Sequence, residues 1–320
     1  MRPLSSKSTD LNRVPRLNKT RRKRHTQTSE GRWQSAVSLS CVKGRKCGSE
    51  NITGRIRCRY TEAMEKTFAC VVRPDDLSHS IEVKLKSRLN QEGYVLNENT
   101  PATIFVIGGD GTFLRAVHQY KKQRDTAVFY GIHTGTLGFY SDYTAADFDI
   151  WIDHFLNRRG TVEEFPLLVA ETETRKFCAV NEVRIENAVR TQELDIDIDG
   201  SFFERFRGTG ILVATQLGST AYSRSLGGAV VQDGLNVMEM VEIAGIHHSR
   251  YRSLGAPLIL NADSVITLRS PDLSGALLGA DTRVLHLEQE HSVRIYYSDR
   301  GIKVLRGMNV SYLDRLHSLF

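Results

Sequence analysis

A single carboxylate stands inside a glycine turn at Gly108-Gly109-Asp110-Gly111-Thr112. Glycines there let the backbone approach a phosphate with no side chain in the way. The run before it, Ala102–Ile107, is apolar and rich in β-branched residues, as a buried parallel strand should be. The run after it spaces Phe113, Leu114, Ala116, Val117 and Tyr120 at helical intervals, with Thr112 placed to cap the helix. Strand, turn and helix N-terminus together offer unpaired backbone N–H groups to an anion. Asp110 sets the turn apart, because a carboxylate repels phosphate unless it binds a metal or takes a proton. That pairing points to phosphoryl transfer onto a hydroxyl, against the plainer reading of an ordinary Asp-Gly turn. The sequence contains no G-x-x-x-x-G-K-[ST], and the loop is not G-x-G-x-x-G, so neither a P-loop nor a dinucleotide Rossmann fingerprint is indicated.

A second candidate site spans residues 207–228. It reads as a strand, a hydroxyl-rich glycine loop at Gly218-Ser219-Thr220, and a helix start carrying Tyr222. Small hydroxyl donors beside a flat aromatic face suit a nucleoside; a Ser/Thr-capped helix is the alternative. Asp195, Asp197 and Asp199 alternate with Leu194, Ile196 and Ile198, which reads as the solvated face of a strand rather than a metal site. His247-His248 has no third ligand at a zinc spacing. His133 has two readings, a substrate contact or a structural hydrogen bond.

These residues need a scaffold. Strands are predicted at Phe68–Val72, Ala102–Ile107 and Ala127–Ile132, with a helix capped by Asp75-Asp76 and Ser78, reaching about Gln91 and closed by Gly93. Alternating strands and helices imply a parallel α/β sheet, whose ligands sit beyond the carboxyl ends of the strands, where Asp110 falls. A second glycine loop, His133–Tyr140, leaves the third strand at the same edge, and a helix is predicted over Ala145–Leu156. Beyond Gly160 short β runs take over: a hairpin turning at Asp199-Gly200, then Pro257–Leu260, Ser264–Leu268 and Val293–Tyr297. The expected fold is therefore an N-terminal Rossmann-like parallel α/β domain over 64–160 and a C-terminal mainly-β domain over 161–296. A last segment, 297–320, carries a helical stretch at Leu313–Leu319 that returns to the first domain.

The 320 residues hold 43 Lys+Arg and 37 Asp+Glu, but residues 1–63 take 16 and 4 of these, leaving 27 and 33 for the rest. The globular part is thus acidic and is not read as a binder of nucleic acid or membrane. Residues 1–63 lack apolar periodicity and are expected to form a disordered basic extension, with Met64 the expected natural start; an organellar transit peptide is the alternative. Cys70 and Cys178 show neither zinc nor disulfide spacing, and no apolar run reaches membrane length, so a cytoplasmic protein is expected.

Four stretches in order resemble the NAD kinase family, closest to its short bacterial members: Gly108–Thr112, Val180-Asn181-Glu182-Val183, Arg207 through Gly228, and Asp281. The resemblance spans essentially all of 65–320. It implies transfer of the γ-phosphoryl of ATP to the adenosine 2′-hydroxyl of NAD, with Mg2+ accompanying ATP and polyphosphate left open as donor. It implies Asp110 as the acceptor of the hydroxyl proton and Gly111 as a backbone phosphate contact. Asn181 and Glu182 match the pair that meets adenine and ribose, and Phe139 is placed to pack on adenine. Thr220, Ala221, Tyr222 and Ser225 match the substrate nucleoside loop, while Arg207, Thr209, Ala244, Ile246 and Tyr251 match the lining of the dinucleotide site. The resemblance also implies a homo-oligomer, dimer or tetramer, built through the β domain. Two departures stand out: Thr209 replaces an aspartate the family usually carries, and Gln216 replaces a proline, which should loosen the adjoining turn. A lipid kinase sharing the first motif, or a dinucleotide-binding sensor without turnover, are the rival readings.

Overall fold

The computed structural model describes residues 57–60, 65–136, 138–247, 252–308 and 310–319. Every described residue belongs to one compact unit.

From the amino end come strands β1 (Arg57–Arg59) and β2 (Thr67–Val72), helix α1 (Asp76–Gln91), then β3 (Val95–Leu96) and β4 (Thr103–Ile107). Asp75 caps α1 by accepting the Ser78 N–H, and Gly93 ends it at a φ of 77°. Helix α2 (Asp110–Gln119), β5 (Val128–Ile132) and α3 (Phe148–Leu156) follow. The single helix expected from residue 145 is split. Ala145–Asp147 form a 3₁₀ turn under a Thr144/Asp147 capping box before α3 begins.

Next come β6 (Thr161–Phe165), β7 (Leu168–Glu171), β8 (Lys176–Ala179), β9 (Glu182–Glu186), β10 (Gln192–Ile198), β11 (Ser201–Gly208) and β12 (Gly210–Thr215). Short helix α4 (Tyr222–Ser225) precedes β13 (Val237–Ile243), β14 (Leu258–Asn261), β15 (Ile266–Arg269), β16 (Leu277–Ala280), β17 (Arg283–His286), β18 (Ser292–Tyr297), β19 (Ile302–Arg306) and α5 (Tyr312–His317).

Among the described residues these strands make three sheets. The first runs β1-β6-β19-β5-β4-β2-β3, and its β3, β2, β4, β5 and β19 are parallel. Continuous burial of β4 and β5 matches their apolar sequences. Strands β6 and β19 pair antiparallel, so the α/β part uses a strand from each side of the β region. The other two sheets, β11-β10-β15-β18-β7-β8 and β14-β13-β12-β9-β16-β17, are antiparallel and meet face to face. Leu194, Ile196, Val293 and Ile295 of one share a core with Val183, Ile185, Val213 and Met240 of the other.

The segment 1–63 is not featureless in its described part. Arg57–Arg59 add a strand to β6, and Tyr60 is 5% exposed, its ring 6.1 Å from that of Phe155. Burying that aromatic ring rewards order that overall composition does not foresee. Among the described residues no helix is long and apolar enough to cross a membrane.

Helix α2 joins the two halves. Its Phe113 and Val117, with Tyr120 at its C-cap, pack with Val71, Ile104 and Phe129 of the first sheet and with Val180 and Leu217 of the β region. Whatever moves α2 therefore moves both motifs.

Candidate active site

The glycine turn forms as a strand-to-helix corner. Gly108 has a φ of 153°, and a Cβ there would meet Thr112 Oγ1 at 2.4 Å. Thr112 is thus packed beneath Gly108 instead of capping the helix. Gly109 occupies the N-cap position, and α2 starts at Asp110 with no side-chain cap. The first backbone N–H groups of this ten-residue helix, and its positive dipole end, face the turn.

The Asp110 carboxylate is gripped from across the sheet edge. Phe139 N–H donates to Oδ2 at 3.0 Å and Tyr140 N–H to Oδ1 at 3.4 Å. A Cβ on Gly138 would come within 2.2 Å of Oδ1, so the loop lies flat against the carboxylate. His133 faces the same turn: a Cβ on Gly109 would be 3.1 Å from Nε2. Its Nδ1 accepts the Gly135 N–H at 3.0 Å, which leaves the neutral ring's proton on Nε2. Burial pushes the imidazole below its ordinary range, against the pull of the Asp110 carboxylate. Gly111 is exposed at the start of α2.

Tyr140 carries the connection onward. Its hydroxyl donates to Asn181 Oδ1. Burial, with the carboxylates of Asp110, Asp281 and Glu182 around it, pushes that phenol well above its usual range, so it stays a donor. Asp281 collects the next three residues: its carboxylate accepts from Val180 N–H (2.9 Å), Asn181 N–H (2.8 Å) and Glu182 N–H (3.4 Å). His118 of α2 sits 2.8 Å from the same group. Glu182 Oε2 is buried with no hydrogen-bond partner. Burial first, and Asp281 second, push its carboxyl up to about 7. A buried acceptor with no partner is costly unless a ligand supplies a donor, and a ribose hydroxyl is such a donor.

The nucleoside loop closes the other wall. Asn181 O accepts the Thr215 N–H at 2.8 Å, and a Cβ on Gly218 would strike that oxygen at 2.0 Å. Thr220 donates its hydroxyl to Leu217 O, and the Ala221 N–H bonds Gly218 O. Tyr222 and Ser225 lie exposed on α4, with the Arg184 guanidinium 5.6 Å from the centre of the Tyr222 ring. The turn expected to loosen at Gln216 is braced: the Gln216 amide donates to Val231 O (3.1 Å), and Thr215 Oγ1 accepts the Gly218 N–H (3.0 Å).

One chain thus brings together Asp110, Gly111, Phe139, Asn181, Glu182, Thr220, Ala221 and Tyr222, with Ser225 one turn further along α4. Arg207, Thr209, Ala244 and Ile246 gather elsewhere, at the opposite end of β12. There Ile246 N–H donates to Arg207 O (2.7 Å), Thr209 N–H donates to Ile243 O (3.0 Å), and Ala244 takes a φ of 46°. The length of β12 separates the groups, about 17 Å at ~3.4 Å per residue. Tyr251 and His248 lie outside the described residues. Phe139 is buried, its ring 6.4 Å from that of Tyr312.

Sequence reasoning passed over Tyr140, His118 and Arg184. The alternation of Glu182, Arg184 and Glu186 on one face of β9 could have found the last: Arg184 Nε lies 3.0 Å from Glu186 and its Nη1 3.9 Å from Glu182. The aspartates of β10 hold cations of their own sheet, Asp195 with Arg205 (2.6 Å) and Asp197 with Arg269. A cavity of about 220 Å³ lined by Glu164, Gln216, Tyr297 and Gly301 opens beside the amino end of β19.

Comparison with known proteins points to one family. The ATP-NAD kinase N-terminal domain matches residues 49–160 and the ATP-NAD kinase C-terminal domain matches residues 180–307. The first match begins inside the segment set apart by composition, and the second includes β19. NAD kinase of Lactobacillus helveticus is 40% identical over 241 residues, covering 74% of this chain and 89% of its own length. NAD kinase 1 of Halalkalibacterium halodurans is 35% identical over 259 residues, covering 79% and 98%. Two solved structures share the fold. Yeast NADH kinase complexed with NADH has a TM-score of 0.68 at 20% identity, covering 81% of this chain and 88% of its own. An NAD kinase from Archaeoglobus fulgidus in complex with ATP has a TM-score of 0.66 at 21% identity, covering 79% and 99%.

Proposed function

The chain belongs to the ATP-NAD kinase family and phosphorylates NAD with ATP to give NADP, and from that premise we propose how its residues divide the work. The adenosine of NAD lies between the 217–222 loop and Asn181-Glu182, with its 2′-hydroxyl toward Asp110. The 2′-oxygen attacks the γ-phosphorus of ATP, the bond from that phosphorus to the β–γ bridging oxygen breaks, ADP leaves, and the hydroxyl proton passes to the Asp110 carboxylate. Phosphoryl transfer asks a protein mainly for position and charge compensation. The N-terminal N–H groups of α2, Gly111 among them, receive phosphate oxygens. Mg2+ bound to ATP would offset the charge of the triphosphate.

The observation that carries the reading is the pinned Asp110 carboxylate, linked through one residue, Tyr140, to Asn181. A proton acceptor and a nucleoside-reading pair are thereby held in one frame. The orphaned Glu182 oxygen supports a ribose there. The Arg207–Thr209–Ala244–Ile246 group, remote from Asp110 along β12, supports a homo-oligomer in which a second copy brings this group to the dinucleotide. A cytoplasmic setting agrees with Cys70 and Cys178 being free thiols.

The test is NADP formation from NAD by the full chain, with Mg-ATP or polyphosphate as donor, beside Asp110→Asn. Turnover should fall at least a thousandfold in the variant while NAD still binds. Retained turnover would remove Asp110 from the reaction.

A further inference from the structure

We infer that Arg315 of α5, together with Arg306 of β19, is a positioning residue for Asp110, acting through two peptide groups of the 138–142 loop. This rests on the reading of Asp110 as proton acceptor.

The peptide group between Gly138 and Phe139 is held at both ends. Its carbonyl accepts from Arg315 Nη1 at 3.2 Å, and its N–H donates to Asp110 Oδ2 at 3.0 Å. The next peptide group repeats the pattern: the Phe139 carbonyl accepts from Arg306 Nη2 at 2.9 Å, and the Tyr140 N–H donates to Asp110 Oδ1 at 3.4 Å. Each amide is planar and trans, so its carbonyl and N–H point in opposite directions. A guanidinium on one side therefore faces the carboxylate on the other through one conjugated unit. A cation on the carbonyl polarises the amide and strengthens its N–H as a donor.

The guanidiniums are themselves fixed. Arg315 Nη1 also donates to Ser141 O at 2.8 Å, and its Nη2 meets Asp142 Oδ1. Arg306 Nη1 lies 3.1 Å from the same Asp142 oxygen, and its Nε 3.4 Å from Glu163. Asp142 Oδ2 accepts the Gly307 N–H at 2.9 Å. Arg306, Arg315 and Asp142 are 9%, 8% and 4% exposed. Two cations against two carboxylates with satisfied hydrogen bonds is the form in which buried charge is tolerable. Burial and the neighbouring Arg306 pull the Arg315 pKa down, yet Asp142 opposes this. Tyr312 of the same helix donates to Val231 O (2.9 Å), the oxygen that also receives Gln216. The C-terminal helix thus touches both walls of the active site while its guanidinium stays one peptide group away from the reacting carboxylate.

The experiment compares the full chain with Arg315→Met, Arg315→Lys and Asp110→Asn, measuring kcat, KM for NAD and thermal midpoint. Arg315→Met should lower kcat at least tenfold with KM within twofold, since substrate contacts are intact and only the carboxylate is loosened. Arg315→Lys, whose single ammonium serves a carbonyl but cannot fork onto Asp142, should fall between, about threefold below the parent. A kcat in Arg315→Met within twofold of the parent, with only the midpoint lowered, overturns the assignment and leaves a structural anchor. Should the methionine variant not fold, the lysine variant decides: lowered kcat at unchanged KM supports the assignment, and parental kcat overturns it. Asp110→Asn separates the two readings. Its loss of turnover beside an Arg315→Met of parental kcat sinks only the positioning role, whereas its retained turnover sinks the premise.

Discussion

His118 Nε2 lies 2.8 Å from Asp281 Oδ2, so the helix that begins at Asp110 is bonded to the carboxylate that gathers the N–H groups of Val180, Asn181 and Glu182. The two motifs are thereby registered by one side-chain pair spanning the joint between the α/β part and the β region.

Removing that carboxylate leaves buried donors without an acceptor. Asp281→Ala is expected to destabilise the fold by about 3–5 kcal/mol and to raise KM for NAD as Asn181 loses its place. His118→Gln keeps a donor for Asp281 and should cost about 1 kcal/mol or less. Urea unfolding of both variants checks the order; equal losses would mean the pair does not act through Asp281.

Glu182 gives a pH dependence of definite sign. Its carboxyl is raised from 4.5 to about 7 in the folded chain. Below the unfolded value both states are protonated and the group is harmless. As pH climbs between the two values the unfolded chain ionises first, so stability falls, and the penalty is complete above about 7. Glu182→Gln stays neutral and should be flatter across this window, gaining up to about 3 kcal/mol on the parent at high pH. Urea midpoints at pH 5 and pH 8 test it, and parallel curves would show that Glu182 ionises freely.

Gly138→Ala targets Asp110 without touching it in sequence. The new Cβ would clash with Asp110 Oδ1 and Cγ, so the carboxylate must leave the Phe139 and Tyr140 N–H groups that hold it. The expected result is a kcat at least tenfold lower with a loss of stability of about 2 kcal/mol. A large fall in thermal midpoint instead would mean that the loop, not the carboxylate, yields.

Starting the chain at Met64 removes β1 and Tyr60. Loss of the buried Tyr60 ring alone should cost about 2–3 kcal/mol, seen as a lower thermal midpoint than the full chain's. Identical midpoints would assign the strand and ring no stabilising part.

Thr209→Asp restores the carboxylate the family usually carries. It should lower KM for NAD with little change in kcat, since Thr209 lies at the far end of β12 from Asp110. An unchanged KM would show that position 209 makes no contact.

The glycine turn, the parallel sheet and the hairpin at Asp199-Gly200 are legible because each is a local pattern: a period, a cap or a turn dipeptide. Thr112 misled because a Cβ-free neighbour, Gly108, admits its side chain beneath the turn, which no capping rule anticipates. The pinning of Asp110 is illegible for a different reason. Its partners are backbone groups of Phe139 and Tyr140, and what holds those groups is Arg315, whose bond to Gly138 O spans 177 residues. Similarly, residues 207–228 form one candidate site on paper, yet an extended strand carries Thr209 and Thr220 to opposite ends.

The neighbouring antiparallel strands β6 and β19 have a consequence for biosynthesis. The chain leaves the first sheet at Phe165 and re-enters it at Ile302, so a strand in the middle of that sheet emerges from the ribosome only after the whole β sandwich. Until then β5, the apolar run Val128–Ile132, lacks its partner on one side. A nascent chain halted short of residue 302 presents an open sheet edge, a template for self-association. The first sheet is therefore completed only when β19 docks between β5 and β6.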